Sequence, residues 1–275
     1  MARATLVLLL ALLSACGGEG SSKSKGTTPA AKIDVSDAQA AYEAALIKFL
    51  KEDCLDAEPL FREIRREHPF SRFAALSELR IGDCQAMQKH HAEAIETFKT
   101  FIRFRPTHAQ IPYARFMIAK SHFAQIPSDW FLVPPSHERE LGPARETLTA
   151  VRDFVTRHPD DDRVPEAQEM AKKALAILAR HELYVAKFYD RHDQKVAVIR
   201  RLEYLLHHYR GSGLEAEALL YLARTYRSMK RWDDARASLE AILSQYGESE
   251  EANEAREELR ALSRKPSSSG RTSSP

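Results

Sequence analysis

One figure recurs along this chain: a small residue, a large apolar residue four positions later, and a helix-stopping residue eight beyond that. It stands at Ala57, Phe61 and Pro69, returns 37 residues later at Ala94, Phe98 and Pro106, and closes the chain at Ala235, Leu239 and Gly247, with Gly in place of Pro. Ala94, Phe98, Phe101 and Ile102 share helical spacing, and a helix cannot run on through Pro106. The small residue lets a preceding helix come close, and the large one fills the gap beside it. A helical figure recurring at about 34 to 37 residues builds helix pairs that bury their apolar faces only by stacking on neighbouring pairs. The spacing therefore predicts an all-α solenoid.

Composition supports this and excludes little else. Only Gly82, Gly142, Gly211, Gly213 and Gly247 lie in the body of the chain, too few for a succession of β-turns. A formal net charge of +2 favours neither nucleic acid nor an acidic partner, so binding must come from local patches. The apolar pattern divides into about five tetratricopeptide-like hairpins and a C-terminal capping helix. The first runs from Ser36, a candidate helix cap, to Pro69; the second from Ser71, also a candidate cap, to Pro106, with Gly82 twelve residues before Ala94. The third opens at Ala109 and is interrupted by residues 126–139, which hold three prolines and the cluster Trp130, Phe131, Leu132 and Val133. Such a cluster either folds back on the body or contacts a partner. The helix resumes near Gly142; its Ala144 lies fifteen residues before Pro159, so the strict period is expected to fail there. From Val164 to Tyr189 the pattern is helical throughout, giving a rod of roughly 39 Å whose end, HELYVAKFYDR, is expected to project beyond the solenoid edge. The carboxylates Asp160, Asp161 and Asp162 are placed to cap its start. A partner helix follows to about Tyr209, the fifth hairpin spans Gly213 to Gly247, and an acidic helix over 249–263 suits the terminal cap.

The ends carry other signals. Arg3 precedes an apolar run from Thr5 to Leu13, too short to span a bilayer, and Leu13, Ser14, Ala15 and Cys16 resemble a bacterial lipobox. Residues 1–15 are thus expected to be a cleaved lipoprotein signal, with acyl chains on Cys16 anchoring the chain; the alternative is an ordinary secretory signal. Gly17 stands where an Asp would retain such a protein at the inner membrane, so the expected destination is the periplasmic face of the outer membrane. Residues 16–35 read as a flexible tether with a reach of roughly 25 Å, and 264–275 as a disordered tail.

No phosphate-binding loop, dinucleotide fingerprint, nucleophile elbow or zinc-protease motif is present, and no cofactor is expected. The adjacent histidines His90–His91 and His207–His208 point about 100° apart on a helix, a poor metal chelate. Cys54 and Cys84 fall on one edge of adjacent units, where an oxidising compartment would pair them; two separately buried thiols is the other reading.

Against this architecture, particular stretches resemble the BamD family of lipoproteins in the outer-membrane β-barrel assembly machinery. They are HPFS at 68–71, FIRFRPTHAQIPYARFMIA at 101–119, the aromatic loop with Trp130 and Phe131, and the stretch 180–209 with Glu182, Val185, Ala186 and Tyr189. The likeness covers about 40–245; Arg210 departs from it where a Pro usually stands, and Cys54 and Cys84 are not family hallmarks. The resemblance implies a scaffold rather than an enzyme. Units over 36–158 would receive the C-terminal signals of unfolded outer-membrane proteins, with Phe70, Arg72, Phe73, Arg105, His108, Tyr113, Arg115 and Phe116 as contacts. Units over 159–263 would hold a POTRA domain of BamA through Tyr184, Lys187, Tyr189, Arg191, Arg200 and Arg201, with other Bam lipoproteins nearby. The alternatives are another periplasmic repeat lipoprotein, such as a secretin pilot or a cell-wall-synthesis coordinator, and an enzyme on a helical-repeat scaffold.

Overall fold

The computed structural model describes residues 35–127 and 135–263, and every regular element among them is helical. The lipobox with Cys16, the tether, the cluster Trp130 to Val133 and the C-terminal tail lie outside the described residues. Helices α1 (Val35–Leu50) and α2 (Cys54–Glu67) form the first hairpin, and α3 (Arg72–Met87) and α4 (His91–Phe104) the second. Helices α5 (Ile111–Ala124) and α6 (Gly142–Arg157) form the interrupted third, followed by the long α7 (Val164–Arg191) and its partner α8 (Lys195–His208). Helices α9 (Glu215–Ser228) and α10 (Trp232–Gln245) make the fifth, and α11 (Glu250–Ser263) covers its end. Each helix packs on the next, and first helices also meet across hairpins, as α1 meets α3 and α5 meets α7. This is the expected α-solenoid.

The repeat is more regular than the sequence alone suggests. Counted back twelve, eight and five residues from each breaker position, the second helices bury Ala57, Phe61 and Ile64; Ala94, Phe98 and Phe101; Thr147, Val151 and Phe154; Val198, Leu202 and Leu205; and Ala235, Leu239 and Ile242. Thr147, not Ala144, therefore holds the small-residue slot of the third hairpin. Its hydroxyl donates to the Pro143 carbonyl at 2.7 Å, which removes the burial penalty that hid a polar residue in an apolar figure. The period expected to fail there holds. The first helices answer with Ala45, Gly82, Ala119, Ala186 and Ala223, all buried beneath their partners. At Gly82 no methyl fits: a Cβ would stand 2.7 Å from the Phe98 ring.

The turns obey the same count. Seven residues after the small residue, Glu52, Lys89, Asp193 and Lys230 take positive φ of 56–65°. The next amide of each turn bonds five residues back, Asp53 to Lys48, His90 to Gln85, Gln194 to Tyr189 and Arg231 to Tyr226. This left-handed closure ends the first helix and reverses the chain within three residues.

Local caps differ in two places. Ser71 caps α3, accepting from the Ala74 amide at 3.1 Å, but α1 already begins at Val35, so Ser36 lies within its first turn. The aspartates before α7 do not cap it either: Arg163 holds the cap position, and Asp161 accepts from its amide at 3.0 Å while gripping its guanidinium at 2.6 and 2.7 Å. Nor does α7 project. Its first half packs Ala167 and Met170 against Phe116, Val151 and Phe154, and its second half buries Leu178, Leu183 and Ala186 against α8. Its extra length serves two hairpins in series.

Candidate functional site

The first helices of the first three hairpins line a cleft of about 460 Å³, walled by Phe49 of α1, Asp83 and Met87 of α3, and Tyr113, Phe116, Met117 and Lys120 of α5. Its floor is largely apolar, made of rings that also pack on the second helices, Phe49 on Phe61, Tyr113 on Phe98 and Phe116 on Phe154. One polar network crosses it. Tyr113 donates its hydroxyl to Asp83 at 2.6 Å, and Arg80 holds the other oxygen of that carboxylate at 2.5 Å. The Arg80 guanidinium also lies 5.3 Å from the Phe49 ring and 5.8 Å from the Tyr113 ring. Burial pushes the Asp83 carboxyl up, against the pull of Arg80 and Tyr113, and the same burial, with Asp83 beside it, raises the Tyr113 phenol. Arg163, fixed by Asp161, sits 5.4 Å from the Tyr113 ring and 5.6 Å from the Phe116 ring. The result is a largely apolar slot whose walls also carry Asp83, His91, Lys120 and the hydroxyls of Tyr113 and Ser121, with the Arg80 and Arg163 guanidinium groups against its rings.

Of the eight residues named for substrate contact, the structure brings Tyr113 and Phe116 to this cleft. Phe116 is nonetheless mostly buried against Phe154, with ring centres 5.7 Å apart. Phe73 lies in the first core with Tyr42, 5.6 Å away. Arg105 is ion-paired with buried Glu78 and His108 packs edge-on to Phe101 at 5.1 Å, so both brace the α4–α5 turn. Arg115 pairs with Asp153 of α6. Phe70 and Arg72 stand exposed at the α2–α3 turn, away from the cleft. The spacing alone missed Phe49, Arg80, Asp83 and Met87; a polar pair three apart on a helix, Arg80 and Asp83, beside Gly82, was the available signal.

Cys54 and Cys84 meet beneath this region, with Cα atoms 5.1 Å apart and both side chains buried between α2 and α3. Met87 lies against Cys54, its sulfur 3.7 Å away, so the pair sits directly under a lining residue of the cleft.

At the C-terminal end the second set divides between surface and support. Tyr184 packs its ring edge-on to His137, 5.8 Å away, and the His137 carbonyl bonds the His181 ring at 2.7 Å. The described end of the interrupting loop, a 3-10 turn at Ser136–Glu138, is thus folded onto α7. Lys187 reaches Glu217 of α9 at 3.3 Å. Arg201 holds buried Glu182 at 3.2 Å, which ties α8 to α7. Arg191 and Arg200 are exposed. Phe188 and Tyr204, which the sequence did not single out, are exposed too, as are Val196 and Arg200. Their spacing, four apart along α7 and α8, was the signal.

Among the described residues no helix is long and apolar enough to cross a membrane. Helical hairpins stacked at this spacing define a tetratricopeptide-like α-solenoid. A family model described as YfiO, outer membrane lipoprotein, matches residues 34–239, and the chain belongs to that family. The outer membrane protein assembly factor BamD of Caulobacter vibrioides is 24% identical over 230 residues, covering 84% of this chain and 71% of that protein. BamD of Xylella fastidiosa is 22% identical over 189 residues, covering 67% of this chain and 64% of that one. Among solved structures, the TPR2AB domain of yeast Sti1 is similar over 83% of this chain and 84% of its own, at 12% identity and a TM-score of 0.44.

Proposed function

We propose that this chain is a non-catalytic scaffold of outer-membrane β-barrel assembly, anchored through lipid on Cys16 at the periplasmic face of the outer membrane. The observation that carries the reading is membership of a family whose curated relatives are assembly factors, over most of the chain. The hairpins over 36–158 receive the C-terminal signals of unfolded outer-membrane proteins in the cleft of Tyr113 and Phe116. The hairpins over 159–263 hold a POTRA domain of BamA and neighbouring Bam lipoproteins on the face of Tyr184, Phe188 and Arg200, with Arg201 setting that face from beneath. A shallow apolar slot with few charges gives modest affinity, which suits a protein that hands its clients on. Mild-detergent purification from outer membranes, read by mass spectrometry, tests this. Co-purification of a β-barrel protein carrying POTRA domains supports it, and recovery of a secretin instead identifies a pilot. A photoreactive residue at Met117, on the cleft wall, is expected to crosslink to unfolded barrel proteins; crosslinks from the α8 face alone would remove the cleft from the reading.

A further inference from the structure

Phe70 and Arg72, left outside the cleft, belong to a second surface. The hairpins are antiparallel, so the short left-handed turns at Glu52 and Lys89 lie on one edge of the stack, and the breakers Pro69 and Pro106 on the other. First helices start, and second helices end, on that breaker edge. It carries Phe70, 87% exposed, and Phe104, 70% exposed, more open to solvent than any other aromatic side chain among the described residues. Three guanidinium groups, of Arg65, Arg72 and Arg103, share this edge. Arg103 lies 5.4 Å from the Phe104 ring and Arg72 4.8 Å from the Phe73 ring. Arg66 is taken up by Glu63 and Glu67, and Arg62 by Glu58, whereas Arg65, Arg72 and Arg103 form no ion pair among the described residues.

Two exposed phenyl rings on successive turns share this edge with three guanidinium groups that no carboxylate among the described residues holds, Arg103 against Phe104, and Arg65 and Arg72 at the ends of α2 and α3. They match a lipid–water interface, where rings enter at headgroup depth and guanidinium groups meet phosphates. The chain also leaves for Cys16 from this edge: α1 begins there at Val35, nineteen residues after the lipobox cysteine, a span that cannot exceed roughly 65 Å. We propose that the breaker edge of the first two hairpins, Phe70 and Phe104 with Arg65, Arg72 and Arg103, seats on the phosphate surface of the membrane that holds the anchor. One acyl anchor restrains position and the edge restrains orientation, so that the cleft is presented at a set height. This rests on the membrane-tethered reading of the chain, and the test separates the two.

Every residue of the packed cores lies between Ala38 and Leu262, so a chain starting at Gly17, without lipid, retains the fold. It is floated with vesicles of phosphatidylethanolamine and phosphatidylglycerol, and with vesicles of phosphatidylcholine alone. Binding to the anionic vesicles that weakens with salt is expected. Phe70→Ser with Phe104→Ser, or Arg65→Glu with Arg72→Glu and Arg103→Glu, is expected to lower the bound fraction about ten-fold or more, with helicity and melting unchanged. Leu50→Ser with Leu55→Ser, which alters exposed apolar residues on the opposite edge, is expected to leave it unchanged. Failure of the parent chain to float on anionic vesicles, or equal flotation of the edge variants, overturns the proposal. So does a protein partner that the edge variants lose while vesicle binding persists. The tether stands or falls separately, on the mass of the Cys16 peptide from native membranes.

Discussion

At the scale of the residue, the closest tolerance is at Gly82. Alanine would improve intrinsic helix propensity by roughly 1 kcal/mol, yet its methyl would meet the Phe98 ring at 2.7 Å, and Phe98 is fully buried with nowhere to move. Overpacking of this kind typically costs 1–3 kcal/mol, so Gly82→Ala is expected to lower stability by about 1–2 kcal/mol in urea titration. Phe98→Leu in the same chain is expected to recover part of the loss; a Gly82→Ala protein as stable as the parent would mean the hairpin is looser than drawn. A second residue-scale effect is electrostatic. The Arg163 guanidinium holds the Asp161 carboxyl at about 2, below the ordinary carboxylate value of 3.8. A depressed carboxyl contributes stability that is present above the unfolded value and is lost as pH falls from about 4 towards 2. Replacing Asp161 with Asn is expected to flatten that part of the acid limb in denaturant melts at stepped pH, and to release Arg163 from its place over Tyr113.

At the scale of the element, the turns and the cysteine pair carry the predictions. Lys89 and Lys230 hold left-handed φ without being glycine, a conformation that strains an L-residue by roughly 1 kcal/mol. Lys89→Gly and Lys230→Gly are each expected to raise the melting temperature slightly, since the relief exceeds the added freedom of the unfolded chain at one turn position. A fall in both would show that the lysine side chains make contacts worth more than the strain. The cysteines offer a sharper test. A bond closing the 30-residue separation between Cys54 and Cys84 would contribute about 3–4 kcal/mol by restricting the unfolded chain. Alkylation of denatured, unreduced protein is expected to leave both cysteines unmodified, and two alkylated thiols would refute the bond. Much of this element-level order was legible in the sequence, because Ala, Phe and Pro at fixed offsets report buried, close-packed and terminating positions directly. What was not legible follows from residues that break the code for local reasons. Thr147 hides in an apolar slot by bonding backward to Pro143, and Arg210 ends a helix without being Pro. Of the eight contacts that the family resemblance implies, Tyr113 and Phe116 line the cleft, whereas the α4–α5 turn directs Arg105 and His108 to Glu78 and Phe101, and the phase of α5 directs Arg115 to Asp153.

At the scale of the whole described body, stability and coupling run through α7. Three small cores occupy α1 to the first half of α7, and one larger core runs from the start of α6 through α11; α6 and α7 contribute to both kinds, α7 with the longer stretch in the larger core. In a solenoid each unit touches only its neighbours, so the two ends share stability as far as the connecting element stays intact. Residues 171–173 lie between Met170, which packs on the third hairpin, and Ala174, which packs in the larger core, and Lys173 is exposed. Lys173→Pro removes one backbone donor and clashes a turn back, at about 3 kcal/mol, without touching either core. If α7 is the coupler, thermal unfolding of this variant separates into two transitions, and amide exchange of residues 38–154 rises while that of 178–262 is kept. If neighbouring contacts other than α7 carry the coupling, chiefly α5 against α6 and the folded-back turn on α7, a single transition shifts downward as a whole. The distinction bears on the proposed function, because a client cleft at one end and a partner face at the other would be coupled through the helices that both kinds of core hold.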